Sequence, residues 1–301
     1  MVQTQTFRPI PNETKSGLTK VATNIWTIES PDCICYRPPM QPRYPYTHRA
    51  VVICLKDNSL FIISPIRFTE DIRTDIDELG TVKYIVSPNN IHHLHMGDWS
   101  QAYPEARLYA SPRLDSKRKD LSFYKTLSTD EPEPEWSEEI DQCIFGSGNG
   151  LVDEIVFFHR ESNTVVFTDM IMDFDPAVFS SFSRFTTRLN QMYKHTPRGM
   201  QLANMFNRKS LRNSLDTVRS WGVERLIVAH SPWLCVEGKE EVKNFLNSAF
   251  DWLKLRSPIV EAGIIAISFL VFLLIIIPIH AFIVLVLDII YPKLVRQSDI
   301  C

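Results

Sequence analysis

Apolar residues arrive in short bursts over the first 255 positions and then in one long run, so the chain reads as a folded domain followed by a segment of another kind. Val51-Val-Ile-Cys-Leu55 and Leu60-Phe-Ile-Ile63 flank the polar Lys56-Asp-Asn-Ser59, which predicts a β-hairpin. Thr69 can cap a helix over Glu70 to Leu79, with Ile72, Ile76 and Leu79 at helical spacing and Gly80 ending it. Val82 to Val86 is a strand that stops at the polar, histidine-rich Ser87 to Asp98, and Leu108 to Ala110 is another. The acidic, proline-bearing Ser128 to Glu138 has little means of packing and forms the seam between two half-domains. Beyond it, Ile140 to Phe145, Glu154 to Phe158 and Thr164 to Thr168 are strand-like, the last two joined as a hairpin through Arg160 to Asn163. Gly146-Ser-Gly-Asn-Gly150 is a loop. Helical patterns follow over Ser183 to Phe206 and Arg208 to Trp221, then a strand from Glu224 to Ala229 ending at His230, then an amphipathic helix from Gly238 to Leu255. Strands followed by helices in both halves predict an α/β sandwich of sheets covered by helices.

The long run lies within 259–291, and its core from Ala262 to Leu287 carries no full charge. As a helix it would be about 39 Å long against a hydrocarbon thickness of about 30 Å. Pro278 and His280 interrupt it, so the expectation is a kinked single span, with a hairpin turning at Pro278 as the alternative. The N-terminus lacks a basic start and an apolar stretch of the secretory kind, so the expected arrangement is a C-terminal anchor with the main domain facing the cytosol. The expected partner of 259–291 is the lipid bilayer. The expected division is an N-terminal tail over 1–17, a domain over 18–252 and the membrane segment.

The formal net charge of -3 offers no basic surface for phosphate backbones, so nucleic acid is not an expected partner. The six cysteines form no CxxC pair and are read as reduced thiols. Chemistry centres instead on three polar sites, each placed immediately after a predicted strand, where side chains from separate strands converge at one sheet edge: His92-His93 with His95, Asp169, and His230. Histidine and carboxylate are what zinc, iron or manganese take when thiolates are absent. His48, His95, His159, His195 and His280 read individually as core or surface residues.

The order of these sites resembles the metallo-β-lactamase superfamily, whose first metal motif HxHxDH follows a strand. More closely, Ile25-Trp-Thr-Ile28, Ser64-Pro-Ile66, Ser87-Pro-Asn89, His92-His93, Gly97-Asp-Trp99 and Tyr109-Ala-Ser-Pro112 resemble an uncharacterised branch of that superfamily, over roughly residues 18 to 252. The resemblance implies an αββα sandwich. On the family motif, Pro88 and Asn90 stand where the first two histidines belong, His92 replaces the aspartate, and His93 is the last histidine. Gly146 to Gly150 keeps the glycines of a later loop without its histidine, whereas Phe167-Thr-Asp169 and Val228-Ala-His-Ser231 match the strand-end aspartate and the final histidine. The losses fall on one metal and spare the other. The implied set is His92, His93, Asp169 and His230 around one divalent ion, zinc first, with iron or manganese as alternatives, and His92 serving as ligand or as catalytic base. The implied function is a membrane-tethered, metal-dependent hydrolase of an unassigned small-molecule substrate; the alternative is a non-catalytic binding or scaffold module, and an iron redox role stands third.

Overall fold

The computed structural model describes residues 7–10, 17–30, 34–36, 44–146, 153–179, 181–204 and 207–254. The first sheet has seven strands in the order β10 (Lys125–Thr126), β9 (Arg107–Ala110), β8 (Thr81–Val86), β7 (Ser59–Ile63), β6 (Arg49–Cys54), β3 (Ile25–Glu29) and β2 (Leu18–Ala22). The second has six, in the order β1 (Phe7–Pro9), β17 (Trp233–Glu237), β16 (Arg225–Val228), β13 (Thr164–Phe167), β12 (Glu154–His159) and β11 (Ile140–Phe145). Two small ribbons stand apart, β4 (Ile34–Tyr36) with β5 (Tyr44–Tyr46), and β14 (Met172–Asp173) with β15 (Tyr193–His195).

Alternation along the central strands explains the layering. On β6 and β7 every residue is buried, because both faces are covered. Val51, Ile53, Phe61 and Ile63 point to the second sheet and meet Phe157, Val166 and Ile227 there. Their neighbours Ala50, Val52, Leu60 and Ile62 point the other way, onto α1 (Glu70–Leu79), α2 (Met96–Ala102) and α3 (Leu114–Lys117) through Ile72, Ile76, Met96, Trp99 and Leu114. On the second sheet, Val165, Phe167, Leu226 and Val228 face α6 (Arg208–Ser220) and α7 (Lys239–Ala249), which supply Leu211, Leu215 and Val218, and Val242, Phe245 and Leu246. The result is the expected αββα sandwich. Two short helices, α4 (Ser181–Leu189) and α5 (Arg198–Ala203), lie in the connection between β14 and α6.

The hairpin of β6 and β7 and the Thr69-capped helix are where the sequence places them, with Ile72 N–H donating to Thr69 Oγ1 at 3.3 Å. Three expectations are corrected. Residues 1–17 are not wholly a tail: Phe7–Pro9 pairs antiparallel with β17, and the Phe7 ring sits 5.3 Å from Trp233 and 6.2 Å from Phe245, so this edge strand is held by aromatic packing. The acidic stretch after Ser128 does cross from one sheet to the other, but it packs, because Trp136 is 1 % exposed and plugs the space between the sheets against Phe61 and Tyr109, with centroids 4.9 Å away from each. The helical pattern from Ser183 to Phe206 is broken into α4, β15 and α5. Gln191 and Lys194 adopt φ of 53° and 57°, and Pro197 cannot donate a helical hydrogen bond, so the chain turns back and pairs Tyr193–His195 with β14. Among the described residues no helix is long and apolar enough to cross a membrane, and the segment 259–291 lies outside them. Gly146 is described, while 147–150 of the glycine loop are not. Cys54, Cys143 and Cys235 are free and buried, and burial pushes the Cys143 and Cys235 thiols up to about 12 and about 11, as expected of unreactive thiols.

Candidate metal centre

Strand direction brings the site together. β7 and β8 run parallel, so Ser64 and the Ser87–His93 loop leave the same end of the first sheet. β6 is antiparallel to β7, which returns its start, and His48 just before it, to that end. β13 and β16 run parallel in the second sheet and deliver Asp169 and His230 opposite. Pro88 O accepts from Ile155 N–H at 2.8 Å, and Asn89 makes a bridge to Glu154, so the loop is tied across the gap between the sheets.

At this edge His92 Nε2 lies 3.2 Å from Asp169 Oδ2 and 3.2 Å from His230 Nε2, and His230 Nε2 lies 3.3 Å from Asp169 Oδ1. The His48 ring stands 4.6 Å from that of His92 and 5.5 Å from that of His230. His48, His92 and His230 each offer a ring nitrogen within 4.8 Å of the others, and all three are buried. His93, expected in the same set, turns elsewhere: Arg118 Nη1 donates to its Nδ1 at 3.0 Å and to its carbonyl at 2.9 Å. His95 pairs with Asp98 at the rim, and His159 is a core residue bonded to Ser162.

Hydrogen bonds orient each ring. A carbonyl can only accept, so the 2.8 Å contact of His230 Nδ1 with Thr47 O places a proton on Nδ1. In the neutral ring Nε2 then carries a lone pair, and that lone pair faces a carboxylate oxygen and a second imidazole nitrogen. This Nε2 is the nitrogen a metal ion would take. Ser64 Oγ contacts His92 Nδ1 at 2.6 Å and His48 Nε2 at 3.3 Å, while His48 Nδ1 is buried without a hydrogen-bond partner. Ser64 holds φ at 59°, in the left-handed region that a serine enters at a cost of about 1 kcal/mol or more. Asn89 Nδ2 donates to Asp169 Oδ2 at 2.8 Å, and its Oδ1 accepts from the Ile91 and His92 N–H groups. Behind Asp169, Glu154 accepts the N–H groups of Thr168, Asp169 and Met170 at 2.6 to 2.8 Å.

The electrostatics match a cation site. Burial lowers the His92 pKa, partly offset by Asp169, and burial with the neighbouring imidazoles holds His48 well below the usual histidine value. Both shifts favour the neutral ring, the form that binds metals. Burial alone would raise Asp169, but His92 and His230 outweigh it and hold its carboxyl well below the usual carboxylate range. Glu154 is pushed up to about 7, by burial first and then by the charge of Asp169. Three imidazoles and one carboxylate, with one orphaned buried nitrogen, fit the donor set of a metal ion. The histidines open onto a shallow depression lined by Ile91 and Leu94. A second shallow depression touches Asp169 between Ile91 and Met200.

A family model described as a domain of unknown function, DUF4336, matches residues 23–198. Among curated proteins none matches this chain in sequence. Among solved structures the fold is similar to the DIM-1 metallo-β-lactamase, at a TM-score of 0.51 and 14 % identity over 77 % of this chain and 96 % of that one. It is similar to VMB-1 at a TM-score of 0.51 and 12 % identity, over 78 % and 96 %. It is also similar to rubredoxin oxygen:oxidoreductase from Desulfovibrio gigas, at a TM-score of 0.56 and 8 % identity over 79 % of this chain, which spans 61 % of that longer one.

Proposed function

This chain belongs to the DUF4336 family and has a metallo-β-lactamase-like fold, and from that premise we propose that it is a membrane-tethered hydrolase working through a single divalent ion. The observation that carries the reading is the meeting of His230 Nε2, His92 Nε2 and the Asp169 carboxylate at one buried edge, with His230 Nδ1 held by Thr47 O. His48, His92, His230 and Asp169 would hold the ion, zinc first, with iron or manganese as alternatives. Pro88 and Asn90 stand where a second ion would need histidines, which supports one ion rather than two. When bound, the ion supplies Lewis acidity that polarises a carbonyl or phosphoryl oxygen. The protein's own contribution is orientation. Thr47 and Ser64 set the rings, Asn89 and the Glu154-bound backbone set the carboxylate, and Ile91 and Leu94 present an apolar rim to an incoming group. With His92 used as a ligand, its role as base passes to another group, and Glu154, whose carboxyl burial pushes up to about 7, lines the depression at Asp169. The apolar segment 259–291 would place this edge near a bilayer from the cytosolic side.

The test is metal content. The full chain, purified in detergent without added metal, is expected to carry about one equivalent of a divalent ion by mass spectrometry, and His230→Ala and Asp169→Ala are each expected to lose it. His93→Ala is expected to keep it. A well-folded wild type that holds no metal and takes up none of zinc, iron(II) or manganese would overturn the centre and leave the binding or scaffold role.

A further inference from the structure

Among the described side chains of helix α4, the threonines turn inward and the apolar ones outward. Thr186 and Thr187 are buried, with Thr187 Oγ1 donating to Arg184 O at 3.1 Å and meeting the Tyr193 hydroxyl, while Phe185 is 57 % and Leu189 39 % exposed. An amphipathic helix on a globular domain ordinarily does the reverse. On α5 the same outward choice recurs at Leu202, 38 % exposed.

Charge segregates to the same stretch. Between Asp175 and Asp216 the sequence contains no Asp or Glu, while Arg184, Arg188, Lys194, Arg198, Arg208 and Arg212 fall inside it, in a chain whose formal net charge is -3. The departure of the C-terminal chain lies beside it. Arg212 Nη1 donates to Leu253 O at 3.0 Å and Arg208 Nη2 to Lys254 O at 3.4 Å, and Thr196 N–H donates to Ala249 O at 3.2 Å. From Lys254 a short connection, at most about 29 Å if fully extended, reaches the uncharged run that starts at Ala262. The face also borders the site, since Met200 of α5 lines the depression at Asp169 and the Phe174 ring lies 6.2 Å from that of His230.

We propose that α4, β15, α5 and the first turn of α6 form a docking face for a bilayer surface carrying anionic headgroups, which turns the metal-site edge toward lipid. Outward aromatic and aliphatic side chains among arginines are what an interfacial helix inserts and what a phosphate-backbone partner has no use for. The proposal rests on the tether reading only for the nearness of a membrane; the face itself stands on α4, α5 and their charge. It implies that the substrate entering past Ile91, Leu94 and Met200 is an amphiphile presented from the bilayer.

The test is hydrogen–deuterium exchange of the full chain in nanodiscs of phosphatidylcholine alone and with about 30 % phosphatidylserine. Peptides spanning 181–204 are expected to exchange severalfold more slowly in the anionic discs, with the difference shrinking at high salt. Phe185→Asp with Leu189→Asp, and separately Arg188→Glu, should abolish it while the melting temperature stays unchanged, since these side chains are exposed. Equal exchange in the two compositions overturns the face and leaves the tether untouched. If the full chain instead leaves the discs, the tether has failed and vesicle flotation decides. Salt-sensitive flotation on anionic vesicles, reduced roughly tenfold or more by Arg188→Glu, supports the face. No flotation, or protection by a duplex oligonucleotide but not by vesicles, overturns it.

Discussion

Ser64 stands between two imidazoles with one hydroxyl proton to give. Its proton can go to the Arg49 carbonyl at 3.4 Å, which leaves the oxygen to accept from His92 Nδ1 and His48 Nε2 together, so Ser64 couples the two tautomers that leave His92 Nε2 and His48 Nδ1 free to bind an ion. Ser64→Ala removes that coupling without changing the metal-ligand count. It is expected to weaken zinc binding about 10- to 100-fold, read by competition with a chromophoric chelator, while the fold is retained. Away from the centre, burial holds His159 down to about 4, below the value of about 6.5 it has in an unfolded chain. Between those two values the unfolded chain takes up a proton that the folded chain refuses, so the contribution of His159 to stability falls as pH drops through that window. His159→Gln should therefore lose about 2 kcal/mol less than wild type between pH 7 and pH 5 in urea unfolding. At this scale the sequence was partly legible. His92, Asp169 and His230 were readable because each follows a strand, and the same rule applied to Ser64 would have added it. His48 escaped because it precedes its strand, and only the antiparallel pairing of β6 with β7 carries it to the same edge.

The loop after β8 is an element without regular structure, and its order comes from one side chain. Asn89 accepts two backbone N–H groups and donates to Thr168 and Asp169, so a single residue shapes the loop that holds His92 and aims the carboxylate across from it. Asn89→Leu preserves most of the volume and leaves two N–H groups and a carboxylate short of partners. A loss of about 2 to 4 kcal/mol is expected in denaturant unfolding, together with loss of metal. Arg49 does the equivalent work at the start of β6. It is fully buried, donates to the carbonyls of Ser231, Trp233 and Leu234, and pairs with Glu29 at 3.0 Å, which clamps His48 and His230 to one frame. Arg49→Met strands the Glu29 carboxylate, whose pKa burial already raises, and should cost about 3 to 5 kcal/mol by the same measurement. Strands and the capped helix were legible because period-two alternation and a Thr69 cap are local signals. The break inside Ser183 to Phe206 was not, since apolar spacing alone suits a helix there and the pairing of Tyr193–His195 with β14 is a tertiary decision.

For the whole molecule, a net charge near zero conceals a segregation that matters. Summed over 301 residues the formal charge is -3, which argues against a polyanionic partner, yet the acid-free stretch before Asp216 concentrates positive charge in one part of the chain. The two modes of membrane attachment proposed here differ in physical kind and so respond differently to solvent. An apolar span is held by burial of about 26 residues in hydrocarbon, which neither salt nor alkali reverses. A basic face is held by counterion release and shallow insertion, which salt screens within about 10 Å at 0.1 M. The full chain is therefore expected to stay in the membrane pellet after alkaline carbonate washing. A chain ending at Lys254 is expected to be extracted by that wash, yet to sediment with anionic vesicles at low salt and be released as salt rises. Its melting temperature should match that of the full chain, because all four layers of the sandwich are complete by Leu253. Carbonate extraction of the full chain would remove the span and leave the face as the sole attachment. A truncated chain indifferent to anionic vesicles would do the opposite, since the arginines around α4 would then be no more than a solvated surface.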